Sequence, residues 1–224
     1  MDISEAVGRR MSVRAFRPDP VPGEVVRGIL EAAHRAPSGG NLQPWRVHAL
    51  AGEDLAAFKR LAAATPMEAP EYAVYPENLW EPLRTRRYQC GEDLYASIGI
   101  GREDRPARFA QLARNLDFFG APVGLFFTLD RRVGPPQWAD VGMFMQTVML
   151  LATARGLDTC AQEFWARYPK TVAGFLGLAD DHMVFSGMAL GWRDEAHPIN
   201  RWRTRRDAFE VWCEMRGFEE DASL

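Results

Sequence analysis

The chain has 224 residues, of which 47% are hydrophobic and 25% charged, and this balance is typical of a globular protein. A formal net charge of -3 excludes a generally basic nucleic-acid binder. The N-terminus lacks the apolar run of a signal peptide and no window approaches the roughly 18 apolar residues of a membrane span, so we expect a cytoplasmic protein.

The N-terminal region is predicted to form a short helix over residues 3–9, followed by an extended segment. In that segment Arg10, Ser12 and Arg14 alternate with apolar residues, so period-two geometry places the three polar groups on one face. Two guanidinium groups and a hydroxyl complement phosphate oxygens or the edge of a flavin or nucleotide. The alternative is a solvated basic patch beside the helix.

A polar loop rich in Gly and Pro follows, between an amphipathic helix over residues 24–35 and a buried strand over residues 45–50. Its two prolines and two glycines exclude a helix. Ser38, Asn41 and Gln43 offer amide, hydroxyl and backbone groups to a flat, hydrogen-bonding ligand. The alternative is an ordinary connection between a helix and a strand.

The rest of the chain reads as one domain, residues 1–224, without internal repeats or an interdomain linker. The remaining predicted elements include helices over residues 53–64, 84–97, 103–119, 138–154 and 170–176. Strands are predicted over residues 123–129 and 183–190, and a short strand that runs into a loop over residues 156–163. Residues 65–82 differ, because four prolines interrupt them and three aromatic residues accompany the prolines. Irregular segments of this length are usually functional or disordered, and the aromatic content favours a covering loop.

Motifs of several common chemistries are absent from the sequence, including G-x-G-x-x-G after a strand, the P-loop, H-E-x-x-H and G-x-S-x-G. The four histidines have no obvious Cys, Asp or Ser partner, and the three cysteines are far apart, which predicts reduced thiols and no metal site. Four separated polar segments remain, near residues 10–14, 38–43, 159–163 and 203–206. This distribution is expected when a large cofactor is bound from several sides and carries the chemistry itself.

The same four segments carry a family resemblance. Residues 10–16 match an arginine-x-serine-x-basic opening, residues 37–45 match Pro-Ser-x-x-Asn-x-Gln-Pro-Trp, and residues 156–163 and 203–206 match two further segments in order. In these motifs the chain resembles the FMN-dependent nitroreductase family over nearly its whole length, and within it the NAD(P)H-dependent, nitrobenzoate-reducing branch. The resemblance implies an α+β fold with a central mixed sheet flanked by helices, assembled as an intertwined homodimer with two interfacial FMN sites.

The resemblance also implies the residues that bind FMN. They are Arg10, Met11, Ser12, Arg14, Pro37, Ser38, Gly39, Asn41, Gln43, Gln162, Glu163, Arg203 and Arg206. Arg10 and Ser12 are expected near the phosphate and ribityl group, and Arg14 near the pyrimidine edge. Residues 38–43 are expected from the other subunit, and the backbone of residues 162–163 near flavin N5. Both tail arginines stay candidates for the bidentate phosphate contact.

The implied activity is a two-step hydride transfer. NADH or NADPH delivers a hydride to flavin N5 and leaves, and a nitroaromatic compound or quinone then takes two electrons in the same place. A fixed guanidinium such as that of Arg14 stabilises the negative charge of reduced flavin without reorganising.

Acceptor binding is assigned to residues 65–87. The candidates are Tyr72 and Tyr75 for ring stacking, and Arg84, Arg86 and Arg87 for a carboxylate such as that of a nitrobenzoate. Solvation is the stronger alternative for the arginines, because three charges spaced i, i+2 and i+3 on a helix cannot all face one pocket.

Two other functions stay open. Glu68 and Tyr72 resemble part of the substrate lid of the iodotyrosine deiodinase branch, a reductive dehalogenase, although no lysine lies between Lys59 and Lys170 to complete it. A flavin-binding or flavin-storage protein without its own substrate is the third possibility, since no acid or base residue is evident.

Overall fold

The computed structural model describes residues 1–218, in which helices surround a four-stranded sheet of order β1-β2-β4-β3. The strands are β1 (Arg46–Ala51), β2 (Val123–Asp130), β3 (Asp158–Gln162) and β4 (His182–Gly191). The helices are α1 (Ile3–Arg9), α2 (Gly23–Ala33), α3 (Gly52–Ala64), α4 (Leu83–Ser97), α5 (Arg105–Ala113), α6 (Pro135–Ala154), α7 (Pro169–Leu176) and α8 (Phe209–Trp212).

The sheet differs in one respect from the mixed sheet that the resemblance implied. Its four strands pair antiparallel throughout, and the parallel pairing within residues 1–218 is an isolated bridge between Ser12 and Thr159. The strands that α6 connects, β2 and β3, run in the same direction, but β4 lies between them. The α-helical crossover is therefore present without the adjacent parallel pair.

Each face of the sheet carries its own hydrophobic core. Along β2, Leu125 and Phe127 pack with α2 and α6, whereas Phe126 packs with α3 and Trp165 on the opposite face, as the alternation of strand side chains requires. Gly187 of β4 admits the indole, because a Cβ there would lie 2.3 Å from Cδ1 of Trp165.

Local conformation explains one helix boundary that agrees with the prediction and one that does not. Helix α1 spans the predicted residues and begins after Asp2, whose carboxylate accepts a hydrogen bond from the Glu5 amide, as is typical of an N-cap residue. Helix α5 ends at Ala113 because the buried Phe118 and Phe119, with φ of 50° and 57°, turn the chain into β2. The predicted continuation of this helix to residue 119 was wrong.

Helices α4 and α5, like the short α8, contain no buried residue within the described chain. Exposed apolar side chains also occur on α1 and α5, at Ile3 and Phe109. None of the described helices, residues 1–218, has both the length and the apolar character needed to cross a membrane.

Candidate active site

The predicted polar segment after α1 lies against β3. Val13 donates its amide hydrogen to the Thr159 carbonyl oxygen at 3.0 Å, and Ser12 forms its bridge with the same residue. The amide of Arg14 donates to Oδ1 of the buried Asn200 at 2.9 Å. As predicted, the apolar residues of this segment are buried, while Arg10, Ser12 and Arg14 are only half-buried.

The tail brings two further guanidinium groups to this face. Arg203 Nη2 donates to the carbonyl oxygen of Arg10 at 3.1 Å. Burial, followed by the positive charges of Arg206 and Arg203, lowers the pKa of the Arg10 guanidinium. Like charges in contact repel one another, so a bound anion would stabilise this arrangement.

No described carboxylate neutralises this cluster. Among residues 1–218, Arg10, Arg14, Arg203 and Arg206 form no salt bridge, although salt bridges engage many other arginines. Unpaired guanidinium groups in one place fit the phosphate of a nucleotide cofactor, because each offers charge-assisted donors. The structure thus juxtaposes the predicted segments 10–14 and 203–206, and their binding of FMN stays a prediction.

The Ser38–Gln43 loop has an unusual backbone. Gly40, Asn41 and Gln43 have positive φ values of 57°, 57° and 49°, and a left-handed conformation costs about 1–2 kcal/mol for a non-glycine residue. The Gln43 amide donates to Oγ of Ser38 at 3.0 Å, which closes the loop on itself. No described hydrogen bond joins this loop to the arginine cluster.

Helix α6 supports the loop through a residue that the sequence analysis missed. Asp140 Oδ1 accepts a hydrogen bond from the Gly39 amide at 3.2 Å. One turn further along, Phe144 stacks on Trp45 with ring centroids 4.8 Å apart. The available sequence signal was that Asp140 is the sole charged residue of the 20-residue α6.

The end of β3 holds the fourth predicted segment. Gln162 is buried, and its Nε2 donates to the carbonyl oxygen and Oδ1 of Asn115 at 2.9 and 3.1 Å. Burial raises the pKa of the Glu163 carboxyl. Burial also raises the pKa of the Cys160 thiol, against the opposing effect of Arg14 and Arg10. The thiol beneath the cluster is therefore held neutral.

A cleft of about 1450 Å³ opens between α4 and the tail, next to the arginine cluster. Its lining includes Arg14, Tyr75, Arg84, Arg86, Arg87, Trp202, Arg206, Phe209 and Trp212.

The three candidate arginines of α4 have different partners. Arg84 pairs with Glu81 at 2.7 Å and Arg86 pairs with Asp207. The Arg87 guanidinium lies over the Tyr75 ring, and no described carboxylate pairs with it.

Tyr72 lies outside this cleft, and its assignment as a ring-stacking residue for the acceptor stays a prediction. Its ring packs between Trp138 and Phe185, with centroid distances of 5.4 and 5.9 Å, and its hydroxyl donates to the Phe185 carbonyl oxygen. Burial raises the pKa of the Tyr72 phenol. Tyr72 therefore anchors the irregular segment to the core.

Glu68 is engaged at the start of α7. Its carboxylate accepts hydrogen bonds from the Lys170 amide at 2.7 Å and from the Thr171 amide and hydroxyl at 3.1 and 2.6 Å. Glu68 and Tyr72 are both engaged within the fold in this arrangement, so it does not support the dehalogenase alternative.

The fold and the unneutralised arginine cluster suit a protein that binds a nucleotide cofactor, and the comparisons give its family. The chain belongs to the nitroreductase family, whose model matches residues 7–192. It is 41% identical over 204 residues to nitrobenzene nitroreductase of Ectopseudomonas oleovorans, covering 89% of this chain and 90% of the relative. It is 37% identical over 220 residues to 4-nitrobenzoate reductase of Pseudomonas putida, covering 97% of each.

A solved structure agrees over the whole fold. The FMN and NADPH-dependent nitroreductase NfnB from Sphigopyxis sp. strain HMH superposes with a TM-score of 0.94 at 46% identity, covering 97% of this chain and 100% of that one. The nitroreductase-like fold that the resemblance implied is therefore confirmed.

Proposed function

We propose that this chain is an FMN-dependent oxidoreductase that moves hydride from NADH or NADPH to nitroaromatic acceptors, nitrobenzoates among them, or to quinones. The single observation that carries the proposal is the unneutralised arginine cluster beside a large, aromatic-lined cleft. The names of the relatives, which are nitroaromatic reductases, support it. When bound, FMN supplies the centre that accepts and donates hydride.

The arginine cluster would hold the cofactor. Arg10, Arg203 and Arg206 supply positive charge and donors for the phosphate, and Ser12 lies on the same face. Arg14 is the residue that we assign to the pyrimidine edge, because Asn200 fixes its backbone amide and its guanidinium Nη1 donates to the Ser12 carbonyl oxygen at 3.2 Å. A guanidinium held in advance stabilises developing negative charge without a reorganisation cost during the reaction.

We assign the other side of the cofactor site to a second copy of the chain. The Ser38–Gln43 loop is hydrogen-bonded to α6 and not to the arginine cluster of its own chain. Helices α4 and α5 have no buried residue, and Phe109 of α5 is 69% exposed. Unburied helices with exposed aromatic residues are typical of an interface between subunits. Sedimentation velocity tests the homodimer, and a monomer at micromolar concentration would contradict it.

The acceptor would occupy the cleft after the nicotinamide donor has left it, which gives ping-pong kinetics. Tyr75 and Arg87 line this cleft, in contrast to Tyr72. An aromatic ring for stacking and a guanidinium without a carboxylate partner suit a flat acceptor that carries an anionic group. The described cysteines are free, and we propose that the enzyme works in the reducing environment of the cytoplasm.

The test is an anaerobic titration in one cuvette. The purified protein, reconstituted with FMN, is mixed with NADH or NADPH and then with 4-nitrobenzoate. Flavin absorbance that bleaches with the nicotinamide and returns with the nitroarene supports the proposed cycle. Failure to bind FMN would contradict it, and bound FMN that no nicotinamide reduces would instead favour a flavin-storage protein.

A further inference from the structure

The Ser38–Gln43 loop has a single hydrogen-bonded anchor outside itself. Within residues 1–218, the loop amides of Asn41, Leu42 and Gln43 donate to oxygens of the loop. The exception is the Gly39 amide, which donates to Asp140 Oδ1 of α6. The hydrogen bonds within the loop fix its internal shape, whereas the bond from Gly39 to Asp140 fixes the position of the loop on α6.

Asp140 is buried, and only one of its two carboxylate oxygens has a hydrogen-bond partner in the described chain. The residue is 5% exposed, and its Oδ2 is buried with no hydrogen-bond partner in the described chain. No described Lys, Arg or His forms a salt bridge with it. Buried carboxylates are normally paired or fully hydrogen-bonded, because a buried polar atom without a partner is costly. Stability of the fold alone does not account for an aspartate here.

Asp140 contacts the loop through Gly39, and the backbone conformation of the loop requires such external support. Asn41 and Gln43 are non-glycine residues with positive φ, a conformation that persists only when surrounding structure imposes it. Phe144, on the same face of α6, stacks on Trp45 immediately after the loop. Asp140 and Phe144 thus fix the loop and the start of β1 from one rigid helix.

We propose that Asp140 is a positioning residue, which holds the Ser38–Gln43 loop in the conformation that presents its polar groups to the flavin. This inference rests on the proposed flavin role of the loop. Asp140 itself lies beneath the loop and acts through Gly39. The carboxylate places Oδ1 as the acceptor for the Gly39 amide, and as a consequence Oδ2 is buried without a hydrogen-bond partner in the described chain.

The test compares variants of the full chain that keep or remove the acceptor. Asp140→Leu removes it at similar size, and Asp140→Asn keeps an oxygen for the Gly39 amide. The matched control is Thr153→Val, a buried polar residue of α6 whose hydroxyl donates to the Met149 carbonyl oxygen at 3.0 Å, far along the helix from the loop. Asp140→Ala replaces Asp140→Leu if the latter does not fold.

Two measurements separate positioning from general stability. In Asp140→Leu, hydrogen exchange of the amides of residues 38–43 should be at least about tenfold faster, and the FMN Kd should rise by roughly tenfold or more. The melting temperature of the flavin-free protein should change little, because loss of the Gly39 hydrogen bond is offset by removal of the buried Oδ2, which has no partner in the described chain. Asp140→Asn and Thr153→Val should resemble the wild type in exchange and in FMN Kd.

The inference is overturned if hydrogen exchange of the loop amides in Asp140→Leu is the same as in the wild type. It is also overturned if Asp140→Leu and Asp140→Asn both show a weaker FMN Kd together with a lower melting temperature. Exchange is measured without flavin, so it reports on the anchor independently of the proposed function. Asn41→Ala and Gln43→Ala test the loop itself. If these variants keep the wild-type FMN Kd, the proposed flavin role of the loop fails, and with it the positioning role of Asp140.

Discussion

The guanidinium carbon of Arg87 lies 4.3 Å from the centroid of the Tyr75 ring. This geometry is a cation–π interaction, and it holds the charge at the wall of the cleft. Its neighbour Arg84 lines the same cleft but is paired with Glu81. The structure therefore distinguishes two arginines that are three residues apart on one exposed helix.

Arg87→Ala should weaken the binding of an anionic acceptor. We expect the KM for 4-nitrobenzoate to rise roughly threefold to tenfold, since an exposed charge contact contributes about 1 kcal/mol. The KM for uncharged nitrobenzene should change less than about twofold. Steady-state kinetics of both acceptors checks this.

Arg84→Ala is the matched control for Arg87→Ala, because its guanidinium already has a carboxylate partner in Glu81. Its KM for 4-nitrobenzoate should stay close to that of the wild type. Equal losses in the two variants would show that the cleft responds to net charge and not to Arg87.

The arginine cluster predicts which part of the cofactor each tail arginine recognises. Arg203→Ala and Arg206→Ala should each raise the FMN Kd by about tenfold to a hundredfold, the range for a lost charge-assisted hydrogen bond of roughly 1.5–3 kcal/mol. Binding of riboflavin, which has no phosphate, should hardly change. Fluorescence titration with both flavins gives the comparison, and the larger effect identifies the main phosphate contact.

Arg201→Ala serves as the control for the tail arginines, because Arg201 donates to the Ala196 carbonyl oxygen at 3.0 Å and lies outside the cluster. It should bind both flavins as the wild type does. A parallel loss of FMN and riboflavin in Arg203→Ala would indicate damage to the tail and not to a phosphate site.

Glu68 gives a prediction that separates support of the fold from substrate binding. Glu68→Ala removes three acceptor contacts at the start of α7, and loss of a helix cap costs about 0.5–2 kcal/mol. Thermal unfolding should show this loss, whereas the KM for 4-nitrobenzoate should be unaffected. Glu77→Ala, an exposed acidic residue of the same segment, is the control for charge and should unfold like the wild type.

The sequence predicted those features of the site that depend on local periodicity and on the backbone preferences of individual residues. The alternation of Arg10, Ser12 and Arg14 with apolar residues required only an extended backbone, and the structure has it. The glycines and Asn41 predicted a non-helical loop, and its positive φ values agree. These features depend on neighbours within a few residues.

What sequence could not predict depends on partners far along the chain. The sequence around Tyr72 does not distinguish a tyrosine that stacks on a ligand from one that packs on Phe185, because Phe185 is more than a hundred residues away. The turn at Phe118 and Phe119 carries no glycine or proline signal at the two positions with positive φ. Asp140 became informative only once the fold placed its carboxylate beneath Gly39.

His48 predicts how stability depends on pH. Burial lowers the pKa of the His48 imidazole, and the positive charges of Arg46 and His182 lower it further. Its Nε2 lies 3.3 Å from Oγ1 of the buried Thr128. Because the folded pKa lies below the unfolded value of about 6.5, the unfolded chain binds the proton first as the pH falls. His48 therefore reduces stability progressively as the pH drops through about 6.5 toward its folded pKa.

His48→Gln, which cannot titrate, should remove this part of the acid sensitivity. Relative to the wild type, the variant should gain stability between about pH 6.5 and 5, by no more than roughly 1 kcal/mol for a half-buried group. Urea unfolding of both proteins at pH 5 and pH 8 gives the free energy of unfolding of the variant minus that of the wild type at each pH. The gain is the change in this difference between the two pH values. His34→Gln is the control, since the ring of His34 is exposed and accepts from the Trp45 indole at the edge of the fold. If the free energy of unfolding of His48→Gln differs from that of the wild type by the same amount at both pH values, the effect is one of packing against Thr128 and not of protonation.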